Sequence, residues 1–186
     1  MTEITDEQGS LSQAAERFVL QWGDMGGQWG VNRSVSQIHA LLYLAEKPLT
    51  AEDIAETLAM APSTVSNSLK ELQGWGLIRR VPVLGDRRDH FEADTDVWSI
   101  AAKIAAGRRE RELDPAIAAL RACVAEAEGD PKLSAVAAAR LRAMLDFTTT
   151  MTGWFDQMTN VPRPTLTALI RLGARIAAFL PGRKAK

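Results

Sequence analysis

Two groups of side chains are equipped to do chemistry. The first is Ser63, Thr64, Ser66, Asn67 and Lys70, short hydrogen-bonding groups and one cation within two helical turns. Hydroxyls, a carboxamide and an ammonium are the groups that meet base edges and phosphates in a major groove. The second is Gly85-Asp86-Arg87-Arg88-Asp89, which gathers cations on a turn. Arginine on a protruding turn suits a phosphate or the negative potential of a minor groove. Asp86 and Asp89 are placed to hold arginine side chains in position. A polar helix face alone is a solvated surface, and a basic turn alone aids solubility. Their succession along the chain is what makes them specific.

Catalytic and metal chemistry have no comparable basis. His39 and His90 are the only histidines and Cys123 the only cysteine, and their spacing is unlike that of zinc ligands. Gly26-Gly27 lacks the lysine and serine of a phosphate-cradling loop. Asp86 and Asp89 lie beside arginines, which makes them ion-pair partners rather than general acids. Arg108, Arg109 and Glu110 read as a solvated helix face. The sequence therefore predicts no enzyme, no cofactor and no metal.

The surrounding chain must supply the elements that hold these groups. Its 186 residues are 46% hydrophobic, enough for a core, and rich in alanine, which favours helices. The net charge is −1, so overall charge does not announce nucleic acid. Its distribution is more telling. Residues 61–90 hold five basic side chains (Lys70, Arg79, Arg80, Arg87, Arg88) and three acidic ones, whereas residues 1–60 hold three basic and nine acidic. A lone cysteine, the lack of a signal-peptide pattern and the lack of a long apolar run predict a cytoplasmic chain without a membrane span. Cys123, on an alanine-rich helix, is expected to be buried and inert, with redox sensing as the alternative.

Apolar periodicity places the elements. Ser10 caps a helix carrying Leu11, Ala15, Phe18, Val19 and Trp22 that ends near Gly26-Gly27. Ser34 to Ala45 forms a second helix with Ile38, Leu41 and Leu42 inward, closed by Lys47-Pro48. Thr50 with Asp53 opens a third as a capping box. Pro62 starts a fourth, with Val65, Leu69 and Leu72 inward and Gly74 and Gly76 at its end. On this fourth helix Ser63, Asn67 and Lys70 point outward and Thr64 and Ser66 flank them. Leu77 to Leu84 and His90 to Ala93 pair as a hairpin around Gly85-Asp86. Thr95 to Ala127 is a long helix, kinked or divided at Asp114-Pro115. Gly129-Asp130-Pro131 breaks the chain, and Lys132 to Met158 is helical. After a break at Asn160 to Pro164, Thr165 to Leu180 forms a last amphipathic helix with Gly173 on its inner face. Arg183 to Lys186 is a basic tail.

The fold class is mainly α: a winged helix-turn-helix with a two-stranded β-hairpin wing, plus N- and C-terminal dimerisation helices. The expected divisions are 1–33 (dimerisation helix and linker), 34–95 (DNA-binding domain) and 96–186 (helical dimerisation region). The terminal helices carry apolar stripes that a small winged domain cannot cover, which predicts a homodimer.

Trp29 to Ile100 resembles the MarR superfamily of winged-helix regulators, and within it the GbsR-like branch. The residues that carry the resemblance are Met25-Gly26, Trp29-Gly30, Leu49 to Ala55, Val65-Ser66, Leu69 to Leu72, Gly74 to Val81, Gly85 to Asp89, Glu92-Ala93 and Trp98. The match covers over a third of the chain. It implies a homodimer joined through terminal helices, each subunit presenting one recognition helix to double-stranded DNA. The operator would be a near-palindrome with half-sites about one helical turn (~10 bp) apart. One departure is Ala61, where relatives commonly carry a capping serine; Ser63 is the alternative cap if the helix starts later, which leaves the base-reading positions open by a residue or two. GbsR-like proteins are similar to regulators that sense choline-type cations, which aromatic faces hold. Trp22, Trp29, Tyr43, Trp75 and Trp98 are the candidates for such a cage, against the simpler reading that they are core. The resulting function is a dimeric, sequence-specific transcriptional regulator, a repressor, that answers to a small-molecule effector. The alternative is a winged-helix protein-interaction module without specific DNA binding.

Overall fold

The computed structural model describes residues 11–127 and 129–173, which divide after Arg108 into two units. In the first, α1 (Gln13–Gln28) is capped by Ser12, whose hydroxyl accepts from the Ala15 amide at 3.3 Å. The cap expected at Ser10 lies outside the described residues. Asn32 caps α2 (Arg33–Leu44) by accepting from the Ser34 amide at 2.8 Å, which starts this helix one residue early. α1 lies close on α2 because Gly23 and Gly26 have no side chain. A Cβ on Gly26 would stand 1.9 Å from Ser36 Oγ.

Thr50 opens α3 (Ala51–Thr57) with the expected capping box. Its Oγ1 accepts from the Asp53 amide at 3.1 Å, and Asp53 Oδ2 accepts from the Thr50 amide at 2.8 Å. α4 (Pro62–Gly74) starts without a side-chain cap at Ala61, as expected, and Pro62 occupies the first position, where no amide hydrogen is needed. It ends where Gly76 turns to φ +65°, letting the Leu77 amide reach back to the Leu72 carbonyl at 3.0 Å.

β2 (Ile78–Val83) and β3 (Asp86–Ala93) form the wing. The sheet has three strands rather than the two expected, in the order β1-β3-β2 and antiparallel throughout. The third is β1 (Leu49–Thr50), with Leu49 opposite Phe91 and Thr50 opposite His90. Thr50 must be extended to cap α3, and an extended backbone beside β3 completes its ladder. β3 also begins four residues earlier than the sequence suggested. Between Val81 and Val83 the register slips at Pro82, which has no amide hydrogen to give the ladder.

The core of this unit joins Ile38, Leu41 and Leu42 of α2 to Ile54, Val65, Leu69, Leu72 and Phe91, with Ile100 added from α5 (Val97–Arg108). Each such side chain stabilises the fold by about 1.5–3 kcal/mol through burial.

The second unit opens with a π-helical turn, Arg109–Leu113, followed by α6 (Asp114–Ala127), α7 (Ala135–Thr159) and α8 (Arg163–Leu172). Pro115 cannot donate to the carbonyl four residues back, so the helical ladder loosens just before it. Ser134 caps α7 by accepting from the Ala137 amide at 3.2 Å. α6 packs on α7. Arg109 pairs with Asp114 at 3.3 Å and with Asp156 of α7. Among described residues 109–173, only Ile117 and Thr152 are buried. Cys123 is exposed, contrary to the expectation of a buried thiol, because α6 turns only a narrow stripe inward. α8 ends at Leu172, short of the predicted end. Residues 174–180 of that predicted helix and the 183–186 tail lie outside the described residues.

Candidate nucleic-acid interface

α4 presents the polar face that its periodicity demands. Val65, Leu69 and Leu72 are buried, whereas Ser63, Ser66, Asn67 and Lys70 are exposed and Thr64 is half-buried on the flank. α3 packs against α4, making the helix-turn-helix pair, and α2 supports α4 from behind. Of the cations in residues 61–90, Lys70 and Arg87 are exposed and take part in no ion pair among the described residues.

The remaining arginines of this stretch are engaged. Arg88 folds back on the wing: its Nη2 lies 2.6 Å from Asp86 Oδ2, its Nε donates to both Asp86 oxygens, and its amide donates to Asp86 Oδ1 at 2.9 Å. These hydrogen bonds hold the Asp86 carboxyl down to about 2 and push the Arg88 guanidinium further up from its already high range. Arg88 Nη1 also reaches Glu52 of α3 at 3.5 Å, so the wing is tied to the helix-turn-helix. Arg80 pairs with Asp89 at 3.1 Å across the hairpin, and Arg79 pairs with Glu92. Asp86 and Asp89 thus both hold arginines, each a different one. His90, buried beneath, donates from Nδ1 to the Arg88 carbonyl at 3.0 Å. Neither Glu52 nor Glu92 was found by sequence reasoning, because pairing between α3 and the wing, or across strands, leaves no local spacing signal.

The five aromatics expected to form a cage do not share one place. Trp22 stacks on Phe18 with ring centres 5.5 Å apart, and Phe18 approaches Tyr43 at 6.3 Å. Trp22 also approaches His39 at 6.3 Å. Burial pushes the His39 imidazole down to about 4, against the pull of Asp94, and its Nε2 has no hydrogen-bond partner among the described residues. Trp75 packs elsewhere, on Gly107 of α5. Trp29 closes α1, 62% exposed, with its carbonyl accepting from Arg108. Trp98 is exposed near the start of α5, where Asp96 Oδ1 accepts from its amide at 3.0 Å. A cavity of 680 Å³ lies between the end of α2, the base of the sheet and Lys103 of α5, and none of the five aromatics lines it. Two of its cations are satisfied within its own wall, Arg79 by Glu92 and Lys103 by Asp94 at 2.7 Å.

Residues 29–89 match the model of a family described as the MarR family. The HTH-type transcriptional repressor GbsR of Bacillus subtilis (strain 168) is 23% identical over 124 residues, which are 67% of this chain and 66% of GbsR. A second helix-turn-helix protein of that organism, YvaV, is 22% identical over 88 residues, 47% of this chain and 50% of its own length. The chain therefore spans between half and just under two thirds of the curated relatives it matches. Among solved structures, one described as a transcriptional regulator superposes with a TM-score of 0.59 at 23% identity, covering 77% of this chain and 94% of that one, a likeness of fold. The likeness to the MarR family thus rests on residues 29–89, about a third of the chain, and on relatives 22–23% identical to it.

Proposed function

We propose that this chain is a homodimeric, sequence-specific DNA-binding transcriptional regulator of the GbsR-like branch, acting as a repressor. One observation carries the reading: the exposed Ser63, Ser66, Asn67 and Lys70 of α4 stand in one helix-turn-helix with a wing whose Arg87 takes part in no ion pair among the described residues. Helix groups of this kind read base edges, and an unpaired guanidinium finds a phosphate or a minor groove. The repressor role is carried over from GbsR, an HTH-type transcriptional repressor. A small-molecule effector belongs to the same reading. The Phe18, Trp22 and Tyr43 cluster against α2, with the unpartnered His39 Nε2 beside it, is the favoured place for it.

The test is binding of the full-length protein to a fluorescent duplex from its own upstream region, beside a scrambled duplex, across a salt series. Tight, sequence-dependent binding with a steep salt slope supports the regulator. Absence of binding to either duplex at low salt overturns it in favour of a protein-interaction module. Titration with choline or betaine, followed by tryptophan fluorescence, tests the effector. A flat signal up to millimolar concentration removes those two ligands.

A further inference from the structure

The turn of the wing is apolar where hairpin turns are ordinarily polar. Pro82, Val83 and Leu84 follow one another and are all exposed. Leu84 is 104% exposed, fully open to solvent, whereas the next most open large apolar side chain among the described residues is Phe147, at 64%. The backbone does not ask for a leucine there. Gly85 takes the left-handed corner at φ +86°, so the neighbouring corner at residue 84 accepts almost any residue. Packing does not ask for one either, since a side chain this exposed adds nothing to the core. Consecutive exposed apolar residues work against solubility unless something covers them in use. The tip is also braced. Arg88 grips Asp86 and reaches Glu52 of α3, Arg80 pairs with Asp89 across the hairpin, and Pro82 fixes its own backbone. From the buried Ile78 to Val83 the strand rises about 17 Å, roughly half of the ~34 Å repeat of a duplex. A hairpin of that length, standing beside a helix in a major groove, is long enough to bring its tip to the next minor groove.

We propose that Leu84 is a wedge for duplex DNA: it enters the minor groove and parts a base step, so that the site is bent there and is chosen partly by how easily that step opens. This rests on the DNA-binding regulator reading and adds to it a specificity that uses no base-edge hydrogen bond. A side chain that unstacks bases must be apolar and stiffly held, and the braced tip offers both. The charge beside it suits nucleic acid. Arg87, exposed and in no ion pair among the described residues, is placed to take a flanking phosphate as Leu84 enters. The tip also belongs to the same unit as α4, and the contact of Arg88 with Glu52 fixes the wing on the α3–α4 pair. A duplex held by Ser63, Asn67 and Lys70 therefore lies within its reach. Pyrimidine–purine steps, TA and CA/TG, open most easily, so the wedge selects one of them about five base pairs from the centre of the α4 contact.

The test is selection of duplexes by the full-length protein from a random-sequence library, run with the wild type, Leu84→Ser and Leu84→Met. Residue 84 buries nothing, so both variants are expected to keep the wild-type melting temperature. All three are expected to enrich the same bases under α4. The wild type and Leu84→Met are expected to enrich a TA or CA/TG step at the wing position, preferring it about tenfold over a purine–pyrimidine step, and Leu84→Ser to lose that preference. On the enriched duplex, energy transfer between dyes at its ends is expected to report a bend that Leu84→Ser loses and Leu84→Met keeps. The salt slope is expected to stay the same for Leu84→Ser, because no charge is removed. Identical selected sequences and identical bends for the wild type and Leu84→Ser overturn the wedge and leave the regulator standing. A fluorescent adenine analogue at the wing-position step that stays quenched when the wild type binds overturns the wedge whatever the variants do. No enrichment of any sequence by the wild type overturns the wedge and the regulator together. Binding of the wild type but not Leu84→Ser to vesicles of phosphatidylcholine and phosphatidylserine, with duplex selection unchanged, overturns it in favour of a membrane surface.

Discussion

The ring of Trp75, at the end of α4, lies where a side chain on Gly107 would be: a Cβ there would stand 2.7 Å from the ring. One residue further, Arg108 donates to the carbonyl of Trp29 at the end of α1. The last residues of α5 therefore hold the ends of both α1 and α4. Gly107→Ala is expected to displace the indole and destabilise the unit by about 1–3 kcal/mol. Urea unfolding followed by tryptophan fluorescence measures this. An unchanged midpoint with an unchanged spectrum would show that the ring has room to move.

The wing arginines are not equivalent. Arg87→Ala and Lys70→Ala are each expected to weaken duplex binding roughly uniformly across sequences and to lower the salt slope by about one. Arg88→Ala removes the tie between Asp86, the wing and Glu52, so it is expected to act through wing placement. Glu52→Gln should then reproduce part of the Arg88 effect and none of the Arg87 effect. Fluorescence anisotropy at several salt concentrations separates the three. Equal salt slopes for the wild type and Arg87→Ala would remove Arg87 from the contact.

The pH dependence of stability is expected to carry the mark of His39. Burial holds its folded-state pKa at about 4, below the ordinary imidazole value of 6.5. The unfolded chain therefore takes up this proton first as the pH falls. The contribution of the neutral, buried ring is complete above pH 6.5 and is lost progressively on the way down through pH 4, about 2 kcal/mol of it by pH 5. His39→Gln should flatten the stability profile between pH 6.5 and 4, as read from denaturant midpoints. A wild-type profile as flat as the variant's would show that the ring is not desolvated.

The start of α4 has an unfilled position. Ala61 has the extended backbone of an N-cap (φ −62°, ψ 138°) and no side-chain oxygen to give. Ala61→Ser is expected to stabilise the chain by about 1 kcal/mol. A calorimetric midpoint that does not rise would mean that the local backbone rejects the serine rotamer.

Much of this arrangement was legible because it is local. The Thr50–Asp53 box, Pro62 at the head of α4 and Gly76 at its end depend on neighbours within a few positions, and a sequence displays them directly. The outward face of α4 follows from the positions of Val65, Leu69 and Leu72 alone. What the sequence hid depends on distant partners. Leu49 and Thr50 became a strand only because Phe91 and His90 run beside them. Glu52 became a wing anchor only because Arg88 folds back toward α3. The aromatics looked like one set because a list of tryptophans has no geometry, and packing sent Trp22, Trp75 and Trp98 to separate places.

The order of the small sheet has one further consequence. β2 is one of its two outer strands, the other being the two-residue β1, and an outer strand offers its unpaired backbone as a template on which other chains can stack. Here that border carries Pro82, which can donate no hydrogen bond, a slipped register at the same point, and the guanidiniums of Arg79 and Arg80. A passing extended peptide finds an interrupted ladder lined with charge. The β2 border of the projecting hairpin is thus a poor template for strand addition.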